Sequence, residues 1–248
     1  MEIANNTILI TGGGSGIGRE LARRFQALGN TVIVAGRRLD ALDETISGRD
    51  RMTAVTLDVS APGAVAGFVE HLAAEHPDIN VLIHCAGVMR LERLREGGSP
   101  PDAEEMVATN LLGVIRLTQA LVGRLVRQPG AAIVTVSSGL GFVPLAAAPT
   151  YSATKAAVHA YTLALREQLK GAVEVIELVP PAVQTELTPG QSTRAGYLPL
   201  DAFIDETMAL FAQKPTPAEI LVERAVFFRQ AERESRFDQA FATLNAPR

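Results

Sequence analysis

The 248-residue chain has one cysteine, Cys85, and no tryptophan. A single thiol excludes an intramolecular disulfide framework and fits a reducing compartment. Aromatic residues make up only 5% of a chain that is 47% hydrophobic, so the core must be mainly aliphatic. There is no excess of basic residues. The formal net charge of -4 argues against a nucleic-acid footprint, which needs a basic face. No uninterrupted apolar run reaches the roughly 18 residues that would suggest a membrane span. The opening Met1-Glu-Ile-Ala-Asn-Asn6 reads as an approach to a strand and not as a signal peptide. Linkers, low-complexity stretches and short-period repeats are also missing. One domain over residues 1–248, in a cytoplasmic soluble protein, is therefore expected.

What is present is alternation. Short apolar runs predict strands at Thr7–Ile10, Thr31–Ala35, Thr53–Leu57, Val81–His84, Ala131–Val136 and Val173–Val179. Between them lie helical periods: Ile17, Leu21, Phe25 and Leu28, closed by Gly29-Asn30, then Leu39–Ile46, Ala64–Ala74, Asp102–Arg127 and Thr150–Leu169. Strands apolar on both faces, alternating with helices, predict an α/β fold: a Rossmann-type doubly wound parallel sheet with helices on both faces. Residues 188–217 break the pattern with four prolines and Gly190 and Gly196 around a short helical stretch at Ala202–Phe211. Such an excursion after the last strand is expected to be a mobile substrate lid. Ala218 to Asn245 reads as helical and charged.

Two motifs carry chemistry. Thr11-Gly-Gly-Gly-Ser-Gly-Ile-Gly18 lies between a strand and a helix, with Gly12, Gly16 and Gly18 spaced G-x-x-x-G-x-G. Glycines there let the backbone turn and approach a pyrophosphate at the helix N-terminus, although a plain glycine-rich turn has the same composition. The segment from Gly12 through Gly14, Ser15, Gly16, Ile17 and Gly18 is the candidate phosphate loop. At the end of the second strand, Ala35-Gly36-Arg37-Arg38 offers no acid for a ribose 2′-hydroxyl. Two guanidinium groups suit a 2′-phosphate instead, which favours NADP(H), with Arg37 preferred to Arg38. The second motif is Tyr151-Ser-Ala-Thr-Lys155. Four residues apart on a helix, the phenol and the ammonium share a face. A free phenol has a pKa of about 10, and a nearby cation lowers it toward reversible proton transfer. Ser138 ends a strand at the sheet's carboxyl edge, where such folds bind ligands; neighbouring Ser137 is a rival. Asn110 sits inside a long helical stretch, where propensity gives it little reason to be.

Together these motifs, with Asp58-Val59, Cys85-Ala86-Gly87 and Pro180 to Thr185, resemble the short-chain dehydrogenase/reductase family in its short single-domain branch. The resemblance implies that Asp58 and Val59 contact the adenine and that Ala86 and Gly87 line its ribose, with Cys85 beside them. It implies that Asn110 holds a water in a relay to Lys155 and that Ser138 binds the substrate oxygen. Tyr151 would be the general acid or base, and Lys155 would bind the nicotinamide ribose and lower the Tyr151 pKa. Pro181, Val183 and Thr185 would border the nicotinamide. The activity implied is an NADPH-dependent carbonyl reductase acting on a small-molecule ketone or alcohol. A homodimer through the two long helices is expected, with a tetramer less so. A non-catalytic NADP(H) sensor on the same fold is the alternative, which the full set Ser138, Tyr151 and Lys155 argues against. An epimerase of the longer branch is disfavoured by length.

The chain departs from the family at three places. His84-Cys85 replaces an Asn pair, removing an amide that braces neighbouring strands. Pro180-Pro181 replaces Pro-Gly, which stiffens the path into the lid. The C-terminus lacks the glycine-rich final strand. No metal site is expected, and His84 reads as a packed residue. Phe142, Val143, Leu145, Leu187, Tyr197 and Leu198 are the candidate substrate pocket, apolar enough for a hydrophobic ketone; Arg90 and Arg194 could anchor an anionic group but read as solvated.

Overall fold

The structure, a computed structural model, describes residues 1–246. Seven parallel strands form one sheet: β1 Thr7–Thr11, β2 Thr31–Gly36, β3 Met52–Thr56, β4 Val81–His84, β5 Ala132–Val136, β6 Glu174–Leu178 and β7 Glu219–Ile220. Their order is β3-β2-β1-β4-β5-β6-β7. The chain steps outward from β1 in both directions, so the carboxyl ends of β1 and β4 flank a switch point where such sheets open a crevice. Thr11 pairs with Ala35 on one side and His84 on the other.

Alternate side chains of each strand enter two cores. Ile8, Ile10, Val32, Val34 and Ile83 face α1 (Gly16–Ala27) and α7 (Leu200–Phe211), burying Leu21, Phe25, Phe203 and Phe211. Leu9, Ile33, Leu82 and Ile133 face the other way. They meet Leu72 of α3 (Ala64–Glu75), Leu117 and Leu121 of α5 (Gly113–Leu125) and Leu165 of α6 (Pro149–Gln168). The remaining helices are α2 (Leu39–Ile46), α4 (Pro100–Val107), α8 (Glu223–Arg229) and α9 (Phe237–Leu244). Wholly buried β6 residue Glu177 meets His159 Nδ1 of α6 at 2.8 Å, tying the helix that carries Tyr151 to the sheet.

Three expectations are corrected. The segment from Ala218 to Asn245 is not all helix, because Glu219–Ile220 pairs in parallel with Glu177–Leu178 as a seventh strand. Two residues after Pro217 are too few to show a strand period. The predicted helix Asp102–Arg127 is two helices, α4 and α5, joined by a π-helical turn at Ala108–Leu112 that contains Asn110. The Pro100–Leu125 run is also long and apolar enough to cross a membrane, yet Leu117, Leu121 and Leu125 are buried against the sheet. Finally, much of 188–217 is no lid. Phe203, Ile204 and Phe211 of α7 are core, and the Phe211 ring meets Phe25 edge-on at 5.6 Å. The open part is the loop before α7, closed at its base by a Val183–Leu198 bridge.

Candidate active site

The glycine loop is built by close approach. Gly12 has φ +69, and a Cβ there would stand 2.7 Å from the Ala86 nitrogen. A Cβ on Gly18 would stand 2.4 Å from the Gly12 carbonyl, so that glycine lets α1 start directly against the turn. Gly16, at φ +50, faces Thr185. Ser15 is the N-cap of α1 but makes no side-chain cap, leaving the first-turn N–H groups without a side-chain acceptor. Gly12, Gly14 and Ser15 form one wall of a cleft over the carboxyl edge. Gly36, Arg37 and Arg38 close one end, and Asp58, Val59, Ala86, Gly87, Val88 and Thr109 complete it. The Thr109 Oγ1 atom itself is buried, without a hydrogen-bond partner among the described residues. Asp58 Oδ1 accepts from the Ser60 N–H and hydroxyl at 2.9 and 2.6 Å, which fixes the turn after β3.

Cys85, expected among the cleft residues, is a correction. Its side chain lies behind the loop, with Sγ 3.4 Å from the position of a Gly18 Cβ. Burial pushes its thiol up to about 11, so it is neutral packing material. The strand bracing that an Asn would supply falls partly to Thr11, whose Oγ1 accepts from the Ala86 N–H at 3.2 Å. His84 is packed as expected. Nε2 lies 2.9 Å from Thr118 Oγ1, and burial holds its pKa down at about 3.

Tyr151 and Lys155 are both buried in α6. Lys155 Nζ donates to the Val136 carbonyl at the end of β5 at 2.8 Å and lies 5.7 Å from the Tyr151 ring centroid. Burial pushes the Tyr151 phenol up to about 12, opposed by the nearby Ser138 hydroxyl, and lowers Lys155 to about 8. The expected lowering of the phenol by Lys155 is therefore not what this arrangement produces, since desolvation dominates. Ser138 caps the 3-10 turn Gly139–Gly141 by accepting from the Leu140 N–H at 3.2 Å. Of the two serines, Ser138 is the one that bears on the Tyr151 phenol; the Ser137 hydroxyl is buried without a partner among the described residues.

Asn110 works as a brace. Its Oδ1 accepts from the Val88 N–H at 2.8 Å, while Nδ2 donates to the Val88 carbonyl at 2.9 Å and Thr154 Oγ1 at 3.2 Å. Its side-chain amide is thus spent on holding the strand-β4 exit against α6. Thr185 stands across the glycine loop from Gly16, and Gln191 Nε2 donates to the Val183 carbonyl and Thr185 Oγ1. Pro181 is half-buried, after Pro180 accepts from the Gly139 N–H at 2.9 Å.

The surroundings of Tyr151 are apolar, but not from all the residues expected. Leu145 and Leu187 pack against the cluster of Met106, Ala148 and Tyr151, joined by Val88, Met89 and Leu140. Val143 is buried elsewhere, against Ala231 and Ala240. Phe142 packs edge-on against His159 and under Arg229, and Leu198 joins the core. Tyr197 pairs with Arg194. Val88, Met89 and Thr109 gave little signal in the sequence beyond their closeness to the Ala86-Gly87 and Asn110 motifs. Gly141 gave none: a Cβ there would stand 2.9 Å from the Lys155 backbone carbon, so the Ser138 turn can approach α6 only with glycine.

Residues 6–195 match the short chain dehydrogenase family. The chain belongs to that family. As a short-chain dehydrogenase it is an oxidoreductase by descent, and similarity runs along its whole length. It is 37% identical over 250 residues to the uncharacterized oxidoreductase DltE of Bacillus subtilis, spanning 99% of this chain and 98% of that protein. It is 36% identical over 180 residues to the NADP-dependent 3-hydroxy acid dehydrogenase YdfG of Salmonella typhi, covering 71% and 72% of the two chains. Among solved structures, a closed form of serine dehydrogenase complexed with NADP+ matches with a TM-score of 0.76 and 28% identity, over 86% of this chain and 90% of that one. A short-chain dehydrogenase from Streptomyces avermitilis matches with a TM-score of 0.81 and 26% identity, over 96% and 95%.

Proposed function

We propose that this short-chain dehydrogenase is an NADPH-dependent carbonyl reductase, reversible as an alcohol dehydrogenase, with an apolar ketone as substrate. The observation that carries the reading is the buried Tyr151, one helical turn from Lys155, whose Nζ stands 3.8 Å from where a Cβ on Gly87 would lie, with Gly87 lining the cleft that also takes in Arg37 and Arg38.

The residues present fit a dinucleotide. The α1 N-terminus has N–H groups with no side-chain acceptor, and the loop is reduced to glycine where backbone must come close. Arg37 and Arg38 would hold a 2′-phosphate, and Lys155 the nicotinamide ribose. NADP+ in the serine dehydrogenase structure and NADP dependence in YdfG support the same choice. When bound, the nicotinamide supplies the hydride for the carbonyl carbon.

The chain's own residues supply the rest. Ser138 orients the carbonyl oxygen, and Tyr151 gives it the phenolic proton as the alcohol forms. With the phenol raised to about 12, Tyr151 is protonated at neutral pH and ready as an acid. Lys155, at about 8, remains mostly charged there and stabilises the phenolate left behind. Val88, Met89, Leu145 and Leu187 offer the substrate an apolar wall. The working form proposed is a cytoplasmic homodimer paired through α4–α5 and α6.

The test is cofactor oxidation with apolar aryl and alkyl ketones, NADPH against NADH. Turnover with NADPH at an advantage of tenfold or more is expected. Equal or faster turnover with NADH would contradict the Arg37 and Arg38 assignment.

A further inference from the structure

Arg37 does not face the cleft unattended. Its Nη1 lies 3.4 Å from Glu105 Oε1, and the Arg37 side chain is 54% exposed against 27% for Glu105. Glu105, on α4, is held from its other side, where Oε2 accepts from Arg90 Nη2 at 2.9 Å. Arg90 also lies 3.9 Å from Asp102 Oδ1. Arg38 has no ion-pair partner among the described residues. The cleft's basic end therefore holds a fixed carboxylate within reach of one of its two guanidinium groups.

We propose that Glu105 is a specificity-determining residue that weakens and tunes 2′-phosphate binding by competing for Arg37. The proposal rests on the NADP(H) reading above. A 2′-phosphate carries close to two negative charges, and a third beside it repels them. Arg90 keeps Glu105 from swinging away, so the repulsion cannot be relieved simply by a rotamer change. At 3.4 Å the Arg37 contact is too long for a strong hydrogen bond, so Glu105 adds little as a positioning group and mainly removes positive potential. A nucleotide that lacks the phosphate has no charge at that point and should be indifferent to Glu105.

Titration calorimetry of wild type and Glu105→Gln with 2′,5′-ADP and NADPH, against 5′-ADP and NADH, tests this. Glutamine keeps the shape and the acceptor oxygen but removes the charge. Binding of 2′,5′-ADP and NADPH is expected to tighten about threefold to tenfold, a range set by two charges interacting through a partly screened surface. The gain should shrink at high salt, and 5′-ADP and NADH should bind as before. A fold defect would instead lower all four affinities together with the melting temperature, and would overturn the assignment. So would unchanged or weaker binding of the phosphorylated pair in a variant that still prefers them. If the wild type already binds 2′,5′-ADP no better than 5′-ADP, the NADP(H) reading falls and this inference with it.

Discussion

Two buried groups at the residue scale have pH signatures of opposite direction and common origin. Tyr151 is raised to about 12 and Lys155 lowered to about 8, in both cases because burial disfavours the charged form. Ketone reduction uses the neutral phenol, so Tyr151 should impose no limit on it between pH 6 and about 8. Above about 8, Lys155 loses its charge and reduction should fall. Alcohol oxidation needs the phenolate and should keep climbing with pH past the point where reduction declines. Initial rates in both directions from pH 6 to 10 check this; a parallel fall in the two would contradict the assignments. His84 acts on stability instead. Its pKa is held at about 3 by burial, below the 6.5 of an exposed histidine. The unfolded chain takes up a proton that the folded chain refuses, so stability should drop as pH falls from 6.5 toward 3. One such proton is worth at most about 1.4 kcal/mol per pH unit. His84→Gln should flatten the acid side of a melting-temperature profile, and an unchanged slope would place the acid sensitivity elsewhere.

At the scale of elements, the site depends on two close contacts. One is the 3-10 turn at Gly139–Gly141 laid on α6, which brings Ser138 to Tyr151. Gly141→Ala would push a methyl to 2.9 Å from the Lys155 backbone. Relief must come from moving either Ser138 or the helix. Turnover should drop at least tenfold while nucleotide affinity at the distant Arg37 end changes little; wild-type turnover would contradict the contact's role. The other is the π-helical turn that aims Asn110 at Val88. The motif order made Asn110 conspicuous in the sequence, and the break in the helix explains why a residue of poor helix propensity sits there. The turn itself was not legible, since the apolar period runs through it from α4 into α5. Gly141 was invisible for a similar reason: its need arises from α6, which is distant in the fold's logic until the turn and helix are docked. Cys85 was misplaced because a motif names a stretch of backbone and not the side of the loop on which a side chain falls.

At the scale of the whole molecule, periodicity decided the architecture. Six strands with continuous apolar runs and the intervening amphipathic helices were readable, and strands buried on both faces and alternating with helices imply a parallel sheet. β7 was not readable, because two residues beside a proline carry no period and gain strand character only from the waiting edge of β6. α7 was misjudged for a related reason. Its proline-rich flanks suggested a lid, while its buried Phe203 and Phe211 complete the core under α1. The cleft that results runs from the Arg37 end to Gly87 and Val88, beside which Lys155 stands, and the account rests on Tyr151 being the proton donor. The most direct test is steady-state ketone reduction by Tyr151→Phe beside its NADPH affinity. A fall of about 10²- to 10⁴-fold in kcat, the range for loss of a general acid, with NADPH binding kept within about threefold, is the expected result. Retained turnover would contradict the account at its centre.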